Sequence, residues 1–194
     1  MAKASSTSAL DKLFDLYLQE LLEWNKKFNL TAVTDPEEIK VRHFEDSLSV
    51  LEAVELSSQS VLDIGPGAGF PGIPLKIVRP NIKLTLLEST RKKTEFLKHL
   101  VEVLGLKEVE VVWGRAGEWK TPKKFEVIVA RAVGKLPELT KVALPYLWPG
   151  GVLVAMKQAD LKEELKNIKV PIKEIKKVKV GGIERSLVVI EKPA

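Results

Sequence analysis

Asp63-Ile64-Gly65-Pro66-Gly67-Ala68-Gly69-Phe70-Pro71-Gly72-Ile73-Pro74 is the stretch that decides the fold. The apolar run 61–64 (VLDI) has the length and composition of a buried strand, and the segment after it reads as the turn into a helix. Gly65, Gly67 and Gly69, at alternate positions, remove side chains where a ligand must approach the backbone. Further short runs rich in Val, Ile and Leu follow at 83–88 (KLTLLE), 108–112 (EVEVV), 125–130 (FEVIVA) and 151–156 (GVLVAM). Between the second and third, Thr90 to Leu104 has helical spacing and stops at Gly105, the residue preferred just past a helix end. Repeated strand–helix–strand units predict a parallel sheet covered on both faces, a doubly wound, Rossmann-like α/β fold. Residues 172–180 and 185–191 are strand-like on either side of Gly181-Gly182, which is hairpin chemistry. The sheet is therefore predicted to be mostly parallel with an antiparallel last strand.

Upstream of that core the periodicity changes. Leu10, Leu13, Phe14, Tyr17, Leu18, Leu21 and Leu22 recur at three-and-four spacing within 8–28, with Ser8 and Asp11 placed as a capping box. Asp35-Pro36-Glu37-Glu38 writes a second helix start, running to about Val54 with a break near His43. Residues 1–57 are thus expected to form a helical N-terminal extension to a ligand-binding core at 60–194, the whole being one domain.

Composition narrows the class. The 194 residues are 45% apolar and 29% charged with no cysteine, which excludes disulfide scaffolds, thiolate metal sites and cysteine nucleophiles. With two histidines and no ligand cluster in the sequence, no metal is expected. No apolar run approaches the roughly 18 residues of a membrane span. The opening MAKASSTSAL lacks a signal peptide's apolar centre, so the expected location is the cytoplasm, with no membrane partner. Residues 1–60 carry a net charge of −5 and residues 61–194 one of +10. That split suits a polyanionic partner and equally a lysine-coated solvated surface of the kind heat-adapted proteins carry.

The glycine turn constrains the cofactor further. Glu88 ends the second strand, where an acid in doubly wound folds accepts hydrogen bonds from ribose hydroxyls. A GxGxxG pattern can be read at Gly67, Gly69 and Gly72, which raises a nucleotide-dependent oxidoreductase as one reading. Pro66, Pro71 and Pro74, however, lack the N–H groups from which a pyrophosphate cradle is made. S-adenosylmethionine, an adenosine without phosphates, fits better. A glycine turn serving only strand-to-helix packing is the plain alternative, and a non-catalytic RNA-binding protein on a methyltransferase fold is a third reading.

Several spaced motifs occur together: the loop DIGPGAGFPGIP, Gly114-Arg115-Ala116-Gly117-Glu118, Ala130-Arg131-Ala132, the N-terminal Trp24-Asn25-Lys26-Lys27-Phe28-Asn29-Leu30-Thr31, and His43 with Asp46-Ser47-Leu48. From about Leu21 to the C-terminus the chain resembles the RsmG family, also called glucose-inhibited division protein B. The resemblance implies an S-adenosylmethionine-dependent methyltransferase that modifies the 7-position nitrogen of one guanine in 16S small-subunit ribosomal RNA, acting on the RNA or a precursor of the small ribosomal subunit. By motif position it implies cofactor contacts at Gly65, Phe70, Ala116, Gly117 and Arg131, with Glu88 as the ribose acid; Gly67 and Gly69 join them through the glycine spacing. One departure is that Gly117 precedes Glu118 where the family usually shows an acidic pair.

Arg131 is the candidate for a catalytic role beyond cofactor binding, since a guanidinium just past a buried strand can hold a cofactor carboxylate, a guanine oxygen or a phosphate. The plain alternative is a strand-end arginine paired with a nearby acid. Arg91, Lys92, Lys93 and Lys157 lie on the strand-end side and are the candidate RNA contacts. Trp24 and Phe28 continue the apolar stripe and read as core. Asn29 and Thr31 are placed to turn the chain over the cofactor mouth, and His43 and Asp46, one helical turn apart, as a hydrogen-bonded pair.

Overall fold

The computed structural model describes residues 8–158 and 160–193. The first seven residues of the predicted extension lie outside them. Helix α1 (Ala9–Phe28) begins with the expected capping box: Asp11 N donates to Ser8 Oγ at 3.1 Å and Ser8 N to Asp11 Oδ2 at 2.9 Å. It ends at Asn29, which takes the left-handed conformation at φ 48°. The second helical stretch is broken at His43 in a specific way. A short α2 (Pro36–Ile39), capped by Asp35, passes into a wide π-helical turn (Lys40–Glu45), then α3 (Asp46–Leu48) and a tight turn (Ser49–Glu52).

Seven strands make one sheet, β1 (Ser60–Ile64), β2 (Lys83–Glu88), β3 (Val109–Trp113), β4 (Phe125–Arg131), β5 (Leu147–Gln158), β6 (Glu174–Val180) and β7 (Ile183–Glu191), in the order β3-β2-β1-β4-β5-β7-β6. The first five run parallel. The last strand is antiparallel, but it does not close the sheet: β7 inserts between β5 and β6, leaving β6 at the edge. Burial explains the placement, because β7 is apolar through Leu187–Ile190 whereas Lys177 and Lys179 of β6 point into water and only Val178 is buried. Strand β5 also starts at Leu147, four residues before the predicted Gly151. Trp148-Pro149-Gly150 is taken up as a bulge opposite β4, with Gly150 N donating to Lys192 O at 2.9 Å.

The remaining helices are α4 (Gly72–Val78), α5 (Arg91–Val103), α6 (Leu136–Ala143) and α7 (Lys162–Leu165). Alternate strand residues divide between two cores. Val127 and Val129 of β4 face Tyr17, Ile73, Phe96 and Leu97 from α1, α4 and α5, while Ile128 and Ala130 face Leu136 and Leu139 of α6. Both faces of the sheet are therefore covered, and the polar C-terminal ends of β1, β2, β4 and β5 are what the fold leaves for a ligand.

Candidate active site

The turn after β1 is held by its own backbone. Gly65 N donates to Leu87 O at 2.9 Å, and both Gly69 N and Phe70 N donate to Pro66 O, each at 2.9 Å. Gly67 N donates to Glu88 Oε2 at 3.0 Å, and Gly72 N to Asp63 Oδ2 at 2.7 Å. Gly67, at φ +60°, has nothing within 4 Å of where a Cβ would stand, so its side-chain position is open space beside a cavity. Gly69 is glycine for a different reason: at φ +103° a Cβ would lie 2.5 Å from the Tyr17 hydroxyl. Glu88 is buried and its Oε1 accepts from Thr90 N at 2.7 Å, so two of its lone-pair sites are engaged and others are free for a ligand.

The N-terminal extension roofs this turn. The Tyr17 hydroxyl donates to Ala68 O at 2.6 Å, and Phe70 packs against the rings of Tyr17 at 5.4 Å and His43 at 4.7 Å. Thr31 is pinned to α1 by Asn25, whose amide donates to Thr31 O at 3.0 Å and accepts from Thr31 N at 2.9 Å. His43 Nδ1, 3.0 Å from Arg42 O, carries the hydrogen, and Nε2 accepts from the Thr31 hydroxyl at 2.8 Å. Burial, reinforced by the Arg131 guanidinium, depresses the His43 pKa to about 4, so the ring is neutral at physiological pH.

Arg131 stands at the centre. Its guanidinium lies 4.8 Å from the Phe70 ring, and Nη1 donates to Asp46 Oδ2 at 3.1 Å and to Arg42 O at 3.2 Å. Asp46 does not pair with His43 as its spacing suggested. Its carboxylate, 3% exposed, is shared by two guanidiniums, Arg131 and Arg185, the latter donating from Nε at 2.9 Å. Two charge-assisted bonds compensate a buried carboxylate far better than one neutral imidazole would. The acid-paired arginine of the plain reading is thus present, and the same arginine still lines the cavities described next.

Two cavities meet at Arg131. One, of about 220 Å³, is lined by Gly65, Gly67, Phe70, Lys93 and Arg131 together with Thr31 and His43. The other, of about 440 Å³, runs past Arg131 to Lys157, Gln158, Asp160, Glu164 and Arg185. Some expected contacts lie elsewhere. Gly117 donates its N–H to the Tyr146 hydroxyl at 3.0 Å and lines a separate cavity of about 820 Å³ with Trp119, Lys141 and Val142. Ala116 is partly buried against the core on the α6 side. Lys157 has internal partners in place of an RNA phosphate: it is buried, its ammonium donating to Gly134 O at 2.6 Å and pairing with Glu164 at 2.9 Å. Arg91 and Lys92 are exposed and sit over aromatic rings, Arg91 5.9 Å from Trp113 and Lys92 5.5 Å from Phe28. Sequence reasoning missed Tyr17, Arg185 and Trp113. The first two act through contacts 51 and 139 residues away, whereas Trp113, 61% exposed at a strand end, carried a legible signal as an aromatic ending an apolar run.

Asp63, beneath the turn, is fully buried; its Oδ2 caps α4 through Gly72 N, and its Oδ1 has no hydrogen-bond partner among the described residues. Burial raises its pKa to about 7.

This sheet order and glycine turn define the fold of S-adenosylmethionine-dependent methyltransferases, and solved structures agree. A methyltransferase from Pyrococcus furiosus superposes with a TM-score of 0.66 at 19% identity, covering 93% of this chain and 98% of that one. A mutant of MtNAS in complex with S-adenosylmethionine gives 0.61 at 16% identity, covering 94% and 73%. The chain belongs to the family described as rRNA small subunit methyltransferase G, whose model matches residues 10–187. Relatives called ribosomal RNA small subunit methyltransferase G include one from Caldanaerobacter subterraneus subsp. tengcongensis, 43% identical over 92% of this chain and 80% of its own length. Another, from Alkaliphilus metalliredigens, is 44% identical over 91% and 80%.

Proposed function

We propose that the protein transfers a methyl group from S-adenosylmethionine to the 7-position nitrogen of one guanine in 16S small-subunit ribosomal RNA, in the cytoplasm. The observation that carries this reading is the meeting of two cavities at Arg131, one against a glycine turn suited to the cofactor and one open for a base, in a chain of the small-subunit rRNA methyltransferase family.

The donor set suits the cofactor. A pyrophosphate needs free N–H groups, yet those of Gly65, Gly67, Gly69, Phe70 and Gly72 are engaged within the protein, and the three prolines have none. What the turn offers instead is open space at Gly67 and the carboxylate of Glu88, a set that suits a cationic ligand bearing ribose hydroxyls and no phosphate. Gly65, Gly67 and Phe70 would hold the ligand against the turn and Glu88 its ribose. Gly69 contributes by letting Tyr17 approach. S-adenosylmethionine supplies, when bound, a methyl group already activated on a sulfonium.

The protein's own part is positional. A guanine N7 carries a lone pair and no proton, so no general base is needed, and alignment supplies the acceleration. Neutral His43 and Phe70 form an uncharged wall beside the site, and Arg131 presents a fixed positive charge toward the base. A target guanine must leave its stack to enter, which favours a loop or bulge of the RNA. Arg91 and Lys92, beside the rings of Trp113 and Phe28, and Lys93, which lines the smaller cavity, would provide cations for the backbone, and Trp113 an exposed ring for a neighbouring base. The test is transfer of labelled methyl from S-adenosylmethionine to small-subunit RNA. Label in the RNA is the expected result, and none at saturating cofactor would remove the assignment.

A further inference from the structure

The larger cavity has an order along the sheet that matches one face of one nucleobase. In the sequence β1-β4-β5-β7 the strand ends present, side by side, the glycine turn, then Arg131, then Gln158 and Asp160 just past β5, then Arg185. Register supports the sequence: Arg131 pairs with Met156 across β4 and β5, and Gln158 pairs with Arg185 across β5 and β7. Going round a guanine from N7, the groups met are N7 itself, the O6 acceptor and, beyond N1, the exocyclic N2 amino donor. With N7 turned toward the glycine-turn cavity, O6 falls to Arg131 and the amino group to the carboxylates past β5.

The atoms that would make those contacts are available. Nη1 of Arg131 is engaged with Asp46 and Arg42, while Nη2 touches only His43 Nδ1, at 3.4 Å, which is itself a donor. Nη2 and Nε therefore keep N–H groups without an acceptor among the described residues. Of the two carboxylates, Glu164 is occupied by Lys157, and its Oε2 also accepts from Leu136 N. Asp160 is exposed at the cavity rim, its Oδ1 fixed by Lys162 N at 3.1 Å, leaving Oδ2 for a ligand.

We propose that this cavity is the recognition pocket for the target guanine, with Arg131 donating to O6 and the Asp160 carboxylate accepting from the exocyclic N2 amino group. The inference rests on the guanine-methyltransferase reading above and adds to it the residues that choose the base. An adenine in the same orientation would turn its N6 amino toward the Arg131 donors and offer Asp160 no amino group, and is rejected on both counts.

Inosine, which lacks only the N2 amino group, separates the possibilities. Small-subunit RNA carrying guanosine or inosine at the mapped target position is compared by kcat/KM with the wild-type enzyme, Asp160→Ala and, as a charge control on α7, Glu163→Ala. The wild type and Glu163→Ala are expected to prefer guanosine about 10-fold or more, the size of a lost hydrogen bond to a charged group. Asp160→Ala is expected to lower guanosine transfer to about the inosine rate and to leave inosine within about 3-fold. Equal wild-type rates on the two RNAs, or an Asp160→Ala variant that keeps the wild-type preference or slows both substrates alike, overturns the proposal while leaving the methyltransferase reading intact. Failure of the wild type to methylate guanosine RNA would remove that reading, and the pocket with it.

Discussion

At the scale of single residues, two buried titratable groups beside the turn act in opposite directions. Asp63, raised to about 7 by burial, holds a proton in the folded state that it loses when unfolded above about pH 4. It therefore lowers stability as pH rises between about 4 and 7. His43, depressed to about 4 by burial and Arg131, is neutral when folded and protonated when unfolded up to its ordinary value near 6.5, so it raises stability over much of the same interval. Each has a slope of about 1.4 kcal/mol per pH unit at most, and in the intact protein they largely cancel. Denaturant unfolding from pH 4 to 7 is expected to show a more positive slope than wild type in Asp63→Asn and a more negative one in His43→Gln; parallel curves for all three proteins would contradict the burial assigned to these groups. Arg131→Ala is expected to lower methyl transfer roughly 100-fold or more, as loss of a fixed charge in an active site does, while calorimetry finds cofactor affinity within about 3-fold. A loss confined to cofactor affinity would place its role on the cofactor carboxylate instead.

At the scale of elements, the N-terminal extension is part of the site. Asp46 fastens α3 to the end of β4 through Arg131 and to the start of β7 through Arg185, and Tyr17 fastens α1 to the glycine turn. Removing the shared carboxylate leaves two guanidiniums without their partner, and Asp46→Ala is expected to cost about 3–5 kcal/mol in denaturant titration. A loss under 1 kcal/mol would mean that the link is solvated. The strands and the turn were legible in the sequence because short apolar runs rich in Val, Ile and Leu and a glycine run are local signals; β2 falls on the predicted 83–88. The Asp46 bridge was not, since its partners are 85 and 139 residues distant and the nearer His43 offered a simpler pair. The burial of Lys157 was not legible either, although its partners are nearer in sequence. Its neutralising Glu164 comes from α7, and nothing in the lysine's own neighbourhood announces a buried ammonium. The early start of β5 was hidden by Pro149-Gly150, whose turn chemistry the sheet absorbs as a bulge.

At the scale of the molecule, the net −5 of the first 60 residues and +10 of the remainder become an orientation. Arg91, Lys92 and Lys93 open α5, with Lys93 lining the smaller cavity, and the function proposed above would bring RNA in over the strand ends. Reversing all three to glutamate is expected to weaken binding to small-subunit RNA and to reduce the salt dependence of log K by about 2, the share of three phosphate contacts on a single strand. An unchanged slope would leave them as a solvated helix face. No helix among the described residues is long and apolar enough to cross a membrane.

The most direct measurement is nucleoside mass spectrometry of small-subunit RNA after incubation with the protein and isotope-labelled S-adenosylmethionine. The expected result is one labelled 7-methylguanosine per RNA, formed roughly 100-fold or more slowly when Arg131→Ala replaces the wild type. Label on another base atom, on a ribose oxygen, or nowhere at saturating cofactor would contradict the site assigned to the two cavities that meet at Arg131.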